Sequence, residues 1–422
     1  MSRQLLPKKL LVDESGEITG AAADIDELEI IQKPELTPDI LLEDFKPQSP
    51  IVDSMRTALF DNPEIDKSIW NELSIWNRSF AKRIKTSSVA IVPERDEYKF
   101  RYILQKDKNA PLIILYPSIG EGYNTHHSTV FAKMFFDEGY SIVMLGSHFH
   151  WEFVRSMPEG YCPGIPSQDA DNIKLVTHKI LDKLENKYEC KFDEKIIIGT
   201  SFGALSSLFV AEKESKNNTL GITKYIAISP PVELVYAVEQ LDKNSDELDN
   251  NSPEVKHKTA VTAAKILQIT KMKENNPDMN ISSLPFTEQE GKLITTFLLR
   301  QKLSDLIFTI ENIAKGQKTD IYEAINNMSY RDYVEKYLLN GSSLENMRYE
   351  TSLYSLADYL VNNDNYRIYH SPDDFFATEG QIKRLKTLAG KHLVCVSNGS
   401  HLGFLYRKEF QEALKADVLG KI

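Results

Sequence analysis

The chain has 422 residues and a net charge of −11, and hydrophobic residues make up 41% of it. This length allows two or three domains, or one large domain with an insertion. The composition excludes a disordered or fibrous protein. An acidic chain repels phosphate backbones, so we expect no nucleic-acid partner. The three cysteines, none of them in a C-x-x-C pair, exclude a disulfide scaffold and a thiolate zinc site.

The first 87 residues differ in character from those that follow. Residues 1–50 carry eleven acidic and five basic side chains, a balance that predicts an acidic extension with little order. Residues 51–87 are predicted to be a helical segment, because Trp70 and Trp76 share one face at helical spacing within 66–85. No apolar leader is visible and no apolar run is long enough to span a bilayer, so we expect a cytoplasmic protein without an integral membrane segment.

Short apolar runs alternate with helical patterns over residues 88–231. An apolar run bounded by turn residues is typical of a strand buried on both faces of a parallel sheet. Strands that alternate with helices predict a parallel sheet covered by helices on both sides. The fold class is therefore α/β, with a mostly parallel, doubly wound sheet. The predicted strands cover residues 87–94, 98–105, 111–117, 140–147, 194–199, 224–231, 365–371 and 391–397.

The alternation stops after the sixth predicted strand. Residues 232–363 contain helical patterns and almost no strand pattern, so we predict an inserted all-helical subdomain that forms a cap or lid. The sheet pattern resumes over 364–422, which completes the α/β core that begins at 88–231. The clearest helices of the insertion are predicted over residues 255–274, 288–316 and 321–339.

A nucleophile motif follows the strand at 194–199. That strand leads into Gly199-Thr200-Ser201-Phe202-Gly203 and then into a helix. This is the G-x-S-x-G pattern between strand and helix, in which a serine lies on a sharp turn with its side chain exposed above the sheet. The N-terminus of the helix favours negative charge that develops nearby. We therefore predict that Ser201 is a catalytic nucleophile.

A serine hydroxyl needs a base to activate it, and the base needs an acid to orient it. His401 follows the last predicted strand, and Asp373 and Asp374 follow the strand before it. Each lies at the carboxyl end of a strand, where sites form in open α/β sheets. We predict that His401 is the base and Asp374 the acid, with Asp373 as the alternative acid.

Acyl transfer also needs hydrogen-bond donors for the oxyanion that forms in the reaction. We predict the backbone N–H groups of Phe202 and Ile119 as these donors, with Ser118 as the alternative to Ile119. Ile119 and Ser118 belong to loop 117–122, whose two glycines allow a tight turn under the substrate. The residues predicted to line the pocket are Ser118, His148, His150 and Trp151.

Two histidine pairs raise the possibility of a metal site. His126 precedes His127 directly, and His148 and His150 are separated by one residue. A zinc site needs three or four ligands, and neither pair has carboxylates at a convincing ligand spacing. We predict that the chain holds no metal and no cofactor.

These motifs resemble the α/β-hydrolase superfamily over about residues 88–231 and 363–420. The resemblance is carried by GTSFG around the serine, HSPDD around the acid and GSHLG around the histidine. The blocks YPSIGEG, HFHWEFVRS and ISPPVEL look more specifically like a bacterial group of α/β-fold hydrolases. The resemblance implies an α/β-hydrolase fold with Ser201 as nucleophile, His401 as base and Asp374 as acid. One departure is Pro117-Ser118, which stands where the superfamily usually has His-Gly and leaves the second oxyanion donor open.

The motifs and the resemblance together predict a serine hydrolase of the esterase or lipase type. It cleaves a carboxylic ester through an acyl-enzyme, and its partner is a small-molecule or lipid-like ester, such as a small ester, a lipid or a polyester. The alternative is a catalytically silent binding or scaffold protein on the same fold that uses the helical insertion. The complete set of Ser201, Asp374 and His401 favours the enzyme.

Overall fold

The fold is described from a computed structural model of the chain. It describes residues 36–62, 64–65, 79–246, 252–276, 281, 283–312, 319–339 and 341–420. Residues 1–35 of the predicted acidic extension lie outside these ranges. So do Trp70 and Trp76, and with them most of the helix predicted over 66–85.

One sheet runs through the described residues, with the strands in the order β1-β2-β4-β3-β5-β6-β7-β8. Strand β2 is antiparallel to both of its neighbours. The other six strands, β4, β3, β5, β6, β7 and β8 in sheet order, are parallel to one another. The predicted mostly parallel sheet is confirmed. The strands are β1 (Lys85–Val89), β2 (Tyr98–Ile103), β3 (Leu112–Tyr116), β4 (Ser141–Met144), β5 (Lys195–Thr200), β6 (Lys224–Ile228), β7 (Tyr366–His370) and β8 (Leu393–Cys395).

Helices connect these strands and make up most of the described residues between β6 and β7. A π-helical turn, Val334–Leu338, continues one of them, and short 3₁₀ turns cover Met55–Leu59, Leu353–Leu356 and Gly390–His392. Among the described residues, no helix is both long enough and apolar enough to cross a membrane. The α-helices are α1 (Pro50–Ser54), α2 (Phe80–Arg83), α3 (His126–Asp137), α4 (Trp151–Ser156), α5 (Pro166–Tyr188), α6 (Phe202–Lys216), α7 (Leu234–Asp246), α8 (Pro253–Asn275), α9 (Glu288–Ile310), α10 (Thr319–Asn326), α11 (Tyr330–Tyr333), α12 (Leu344–Glu350), α13 (Ala357–Asn362), α14 (Glu379–Ala389) and α15 (Lys408–Val418).

The first strand differs from its predicted position. The apolar run predicts a strand over 87–94, but β1 begins at Lys85 and ends at Val89, and residues 91–95 lie in bends and a turn. Strand β1 is at the edge of the sheet and pairs with β2 alone, so four of its five side chains are exposed or half-buried. An edge strand therefore needs no continuous apolar run, and the hydrophobic pattern of the sequence does not show where such a strand begins.

Two apolar cores lie on the two faces of the sheet. Successive side chains of a strand point to opposite faces. Ile114 of β3 accordingly joins the core formed with α5 and α6, whereas Ile113 joins the core formed with α3 and α15. The doubly wound arrangement predicted from the sequence is therefore present.

The strand order creates a switch point between β3 and β5. From β3 the chain passes to β4 on one side, and from β5 it passes to β6 on the other. Tyr116 and Gly199 stand in register at the carboxyl ends of these two strands. Open α/β sheets bind ligands in the crevice at such a point. Loop 117–122 follows β3 and Ser201 follows β5, so both lie at this crevice.

The N-terminal residues that the structure describes pack on the far edge of the sheet. Ile40 forms a parallel bridge with Val396, directly after β8. The backbone N–H groups of Asp39 and Ile40 both donate to the carbonyl oxygen of Cys395, over 2.8 and 3.0 Å. Backbone hydrogen bonds therefore attach residues 39–40 to the end of β8, and Leu42 is buried close by.

Candidate active site

Ser201 lies on the turn between β5 and α6 with φ of +51° and ψ of −120°. A side-chain-bearing residue in this region of backbone space costs of order 1–3 kcal/mol, which the surrounding structure must offset. The Ser201 N–H donates to the carbonyl of Ile228 over 2.9 Å. The Ser201 carbonyl accepts from the N–H groups of Ala204 and Leu205 over 2.9 and 3.0 Å. These bonds to β6 and to the first turn of α6 hold the strained conformation.

The two glycines of the motif allow the backbone to pack closely around this turn. A Cβ atom on Gly199 would lie 2.4 Å from the Gly203 carbonyl oxygen. A Cβ atom on Gly203 would lie 2.3 Å from the carbonyl oxygen of Tyr116 and 2.4 Å from that of Pro117. Any larger residue at position 203 would push helix α6 away from the end of β3. The motif therefore brings the serine turn against loop 117–122.

The structure brings Ser201, His401 and Asp374 into one hydrogen-bonded chain. His401 Nε2 lies 2.8 Å from Ser201 Oγ, and His401 Nδ1 lies 2.9 Å from Asp374 Oδ2 and 3.2 Å from Oδ1. All three side chains are buried, with residue exposures of 6% for the serine, 8% for the histidine and 3% for the aspartate. The serine follows β5, the acid follows β7 and the histidine follows β8. This is the order of the three residues along the chain in the α/β-hydrolase fold.

The chain has the α/β-hydrolase fold. In this hydrolase fold the three side chains reach the crevice from three separate strand ends, so the folded sheet, and not local sequence, sets their distances. The carboxylate contacts one nitrogen of the imidazole, and the other nitrogen contacts the serine hydroxyl. This is the geometry in which an imidazole can take a proton from a serine while a carboxylate holds its other nitrogen.

Asp374 is ionised within this buried site. Burial alone raises the pKa of a carboxyl group. The charge and hydrogen bond of His401 oppose that effect, and the nearby His370 and the N–H of Phe376 add to the opposition. The net result is a pKa of Asp374 below its ordinary value. The carboxylate form, which can accept the Nδ1 proton of His401, is therefore favoured.

Asp373 contacts the loop that carries His401 instead of the imidazole ring. Its carboxylate accepts the N–H of Ser400 over 2.9 Å and that of Gly399 over 3.3 Å, and it also accepts the hydroxyl of Ser371. Burial raises the pKa of Asp373 more than these bonds lower it. The alternative acid of the sequence analysis thus lies next to the backbone of the histidine loop.

Loop 117–122 forms a tight turn beside Ser201. The N–H of Glu121 donates to the carbonyl of Ser118 over 3.2 Å, and Gly120 has the positive φ of +62° that this turn requires. The Ser118 N–H donates to Glu121 Oε2 over 3.2 Å, and the Ser118 hydroxyl contacts Thr200. The Ser118 N–H is therefore engaged within the loop. The N–H of Ile119 takes part in none of these bonds.

Phe202 occupies the first position of α6. The first N–H groups of a helix have no partner within it, so the Phe202 N–H is directed away from the helix body at the serine turn. The phenyl ring of Phe202 stacks on the imidazole of His148, with ring centroids 4.5 Å apart. His148 is buried, and its Nε2 lies 3.5 Å from Asp169 Oδ2. His148 therefore packs against Phe202, the residue after Ser201, from the buried side of the turn.

His150 and Trp151 lie at the start of α4. His150 Nδ1 accepts the N–H of Glu152 over 3.3 Å and so caps the helix, and the Trp151 ring lies 5.3 Å from the His150 ring. A Cβ atom on Gly122 would lie 3.5 Å from His150 Nε2, which places this imidazole against loop 117–122. Burial first, and then the charge of Lys302, lowers the pKa of His150 to about 4. His150 is therefore a neutral side chain beside the loop at neutral pH.

Lys302 of α9 is a site residue that the sequence analysis missed. Its Nζ donates to the carbonyl of Ile119 over 2.9 Å, and its stem lies over Gly120, where a Cβ atom would be 2.8 Å from the Lys302 Cβ. The two partners are separated by 183 positions in the chain. A lysine within a helix carries no signal for such a contact.

His126 and His127 bind backbone rather than each other. His126 Nε2 donates to the carbonyl of Phe60 over 3.1 Å, and His127 Nε2 donates to that of Thr57 over 3.0 Å. Burial, the largest cause, lowers the pKa of His127. Over the ranges that the structure describes, no group of three or more His, Cys, Asp or Glu side chains is arranged to hold a metal ion.

The sequence matches no protein-family model and no curated protein. Similar solved structures include an esterase of Pyrococcus furiosus at 12% identity, which covers 79% of this chain and 88% of its own with a TM-score of 0.43. A serine hydrolase of Cycloclasticus zankles is 15% identical and covers 80% of this chain and 99% of its own, with a TM-score of 0.43. Brefeldin A esterase, a bacterial homologue of human hormone sensitive lipase, is 13% identical and covers 90% of this chain and 88% of its own, with a TM-score of 0.43.

Proposed function

We propose that the chain is a serine hydrolase that cleaves a carboxylic ester through an acyl-enzyme. The observation that carries the proposal is the position of His401, whose two ring nitrogens lie 2.8 Å from Ser201 Oγ and 2.9 Å from Asp374 Oδ2. A neutral imidazole with one nitrogen bound to a carboxylate has its other nitrogen free to accept a proton. Ser201 is then the group that loses the proton and attacks.

The first half-reaction forms the acyl-enzyme. Ser201 Oγ attacks the ester carbonyl as its proton passes to His401 Nε2, and a tetrahedral oxyanion results. The N–H groups of Phe202 and Ile119 donate to this oxyanion. His401 then gives the proton to the alkoxide oxygen, the C–O bond breaks, and the alcohol leaves with the proton.

The second half-reaction repeats the same steps with water. A water molecule gives a proton to His401 Nε2 and attacks the Ser201 ester, and the carboxylic acid leaves as Ser201 regains its proton. Asp374 holds Nδ1 throughout and stabilises the imidazolium that forms in both halves. Both half-reactions therefore depend on the position of His401.

The helical segment between β6 and β7, residues 232–363, serves as a cap in this proposal. Its helix α9 places Lys302 on loop 117–122, and its Gly291 packs against Ile51. Ser201 and His401 are largely shielded from solvent, and in this proposal the ester reaches them when the cap moves away from loop 117–122. Phe375 and Phe376 pack against the His401 ring with centroids 6.0 and 4.6 Å away. Aromatic walls of this kind favour apolar acyl or alcohol groups, as in a small or lipid-like ester.

The test is hydrolysis of p-nitrophenyl esters from acetate to palmitate by the wild type, Ser201→Ala and Ser215→Ala. Ser215 is a matched control because it lies exposed on the same helix, where its hydroxyl binds the Glu212 carbonyl. We expect turnover by the wild type and Ser215→Ala, and a loss of at least about 10³-fold in Ser201→Ala. Equal rates in all three proteins would remove Ser201 from the reaction. Absence of turnover in all three would favour a binding or scaffold protein on this fold.

A further inference from the structure

Residues 45–62, here called the N-terminal segment, are joined by hydrogen bonds around a buried ion pair. Arg56 Nε lies 2.8 Å from Asp53 Oδ1, and both side chains are almost fully buried. The other carboxylate oxygen of Asp53 accepts the N–H of Gln48 over 2.8 Å. The Arg56 NH2 group donates to the carbonyl of Lys46 over 2.9 Å and to Gln48 Oε1 over 3.0 Å. Helix α1 and the 3₁₀ turn after it are thereby fixed to the residues that precede them.

This segment binds the loop that carries His401. Ser54 Oγ accepts the backbone N–H of His401 over 3.1 Å and contacts the Ser400 hydroxyl over 3.2 Å. The backbones are also in close contact, because a Cβ atom on Gly403 would lie 2.0 Å from the Asp53 carbonyl oxygen. One face of α1 therefore lies directly on residues 400–403.

The loop needs support of this kind. Ser400 and Leu402, the two neighbours of His401, have positive φ values of 49° and 65°. Side-chain-bearing residues adopt such angles when surrounding contacts hold them there. Asp373 holds the Ser400 N–H from one side, and Ser54 holds the His401 N–H from the other. Both bonds hold the backbone from which the imidazole projects.

The same segment binds the helical cap at its opposite end. Gln48 Nε2 donates to the Leu284 carbonyl over 2.9 Å, and Gln48 Oε1 accepts the Leu284 N–H over 2.7 Å. Arg56 NH1 donates to the Ile281 carbonyl over 3.4 Å. An apolar cluster covers these bonds and joins the two parts of the chain. Its buried members are Ile51, Val52, Leu59, Leu284 and Phe286.

We propose that Ser54 is a positioning residue for His401, and that the N-terminal segment couples docking of the cap to the placement of this base. The inference rests on the proposed function for its catalytic meaning. Ser54 does not touch the reacting atoms. It fixes the backbone from which the imidazole projects, so that Nε2 stands within hydrogen-bond reach of Ser201. Gln48 transmits the state of residues 281–286 to the same loop through α1.

The test compares Ser54→Ala with Ser54→Thr, which keeps the hydroxyl oxygen, and with Ser49→Ala. Ser49 is a matched control in the same segment, since its buried hydroxyl has no hydrogen-bond partner. With p-nitrophenyl acetate we expect Ser54→Ala to lower kcat about 10- to 100-fold, with KM nearly unchanged and the acid limb of the pH–kcat profile displaced. Ser54→Thr recovers kcat and the profile, and Ser49→Ala leaves both as in the wild type. Wild-type kcat and profile in Ser54→Ala would overturn the inference.

Amide hydrogen exchange of the resting protein separates this inference from the proposed function. We expect faster exchange at residues 399–403 in Ser54→Ala and in Gln48→Ala, and wild-type exchange in Ser49→Ala. A wild type that hydrolyses no ester, together with this exchange pattern, would refute the hydrolase and keep the positioning role. Unchanged exchange at 399–403 in Ser54→Ala would refute the positioning role in an active hydrolase. Faster exchange in Gln48→Ala that is confined to residues 281–286 would refute the coupling.

Discussion

Asp373 and Asp374 are adjacent in the chain, yet their carboxyl groups have pKa values displaced in opposite directions. Asp374 faces the imidazole of His401, whose charge and hydrogen bond overcome the effect of burial. Asp373 faces the backbone of the same loop, and burial dominates there. Asp374 thus holds the ring of His401, and Asp373 holds the main chain of Gly399 and Ser400, the two residues before His401.

The acid is tested by replacing each aspartate with asparagine. Asp374→Asn keeps the size of the side chain but offers the wrong partner for Nδ1, so we expect kcat to fall by about 10⁴-fold, as for a triad aspartate. Asp373→Asn retains an oxygen for the Ser400 N–H, and we expect kcat to stay within about tenfold of the wild type. Steady-state kinetics on p-nitrophenyl acetate measures both. The reverse order of effects would make Asp373 the acid.

The close packing at the serine turn is tested with Gly203→Ala. The added methyl group would meet the Tyr116 and Pro117 carbonyls at 2.3 and 2.4 Å, and backbone cannot move aside as a flexible side chain can. We expect the free energy of unfolding to fall by about 1–3 kcal/mol, and we expect ester hydrolysis to be lost. Urea denaturation measures the first. Gly122→Ala is the control, since its new contact is a side chain at 3.3 Å, and its stability should change far less.

Lys302 is tested through its effect on His150. Burial is the larger cause of the low pKa of His150, near 4, and the charge of Lys302 is the second. In Lys302→Met we expect that pKa to rise while staying below the ordinary histidine value of about 6.5. An NMR titration of the His150 ring protons measures it. Lys292→Met, on the same helix but paired with Glu288, should leave the His150 titration as in the wild type. An unchanged His150 in Lys302→Met would contradict the contact between α9 and loop 117–122.

Asp417 gives the fold a stability that depends on pH. Its carboxylate lies 2.9 Å from Arg367 Nε and 3.4 Å from Lys224 Nζ, and it accepts the Tyr369 hydroxyl. Burial raises the pKa of Asp417. Arg367, Tyr369 and Lys224 together lower it by more than burial raises it, so the pKa in the folded state is depressed. The stabilisation is therefore complete above the unfolded pKa of about 3.9 and disappears as the pH falls through the lower folded value.

Asp417→Asn should accordingly lose about 1.5–3 kcal/mol of unfolding free energy at pH 7, and the difference from the wild type should shrink in acid. Thermal melts of both proteins between pH 7 and pH 2 measure this difference. Glu189→Gln is the control, because Glu189 forms an exposed pair with Lys108 and such pairs contribute little. A difference between Asp417→Asn and the wild type that is constant over this pH range would contradict the depressed pKa.

The sequence predicts the sheet well because buried parallel strands must be apolar along their whole length. It misplaces β1 because an edge strand with one partner has no such requirement. The motif around Ser201 is local, so its turn and its glycines can be recognised from spacing. Asp373 and Asp374 have the same chemistry and differ by one position, so the orientation of each side chain separates them and sequence pattern does not.

The contacts of Ser54 and Lys302 could not be predicted from the sequence. Ser54 meets His401 across 347 positions, and it lies in a short helix with no motif around it. Lys302 meets Ile119 through a backbone carbonyl, which every residue possesses. In both cases the tertiary arrangement creates the contact, and the residue types alone do not indicate it.

Labelling with a fluorophosphonate probe tests the central claim most directly, because the probe reacts with an activated serine whatever the natural ester is. The wild type, Ser201→Ala and His401→Ala are treated in parallel, and the modified residue is located by peptide mass spectrometry. The account predicts one label per wild-type chain on Ser201, no label in Ser201→Ala and strongly slowed labelling in His401→Ala. A label on another serine, or labelling of Ser201→Ala at the wild-type rate, would contradict it.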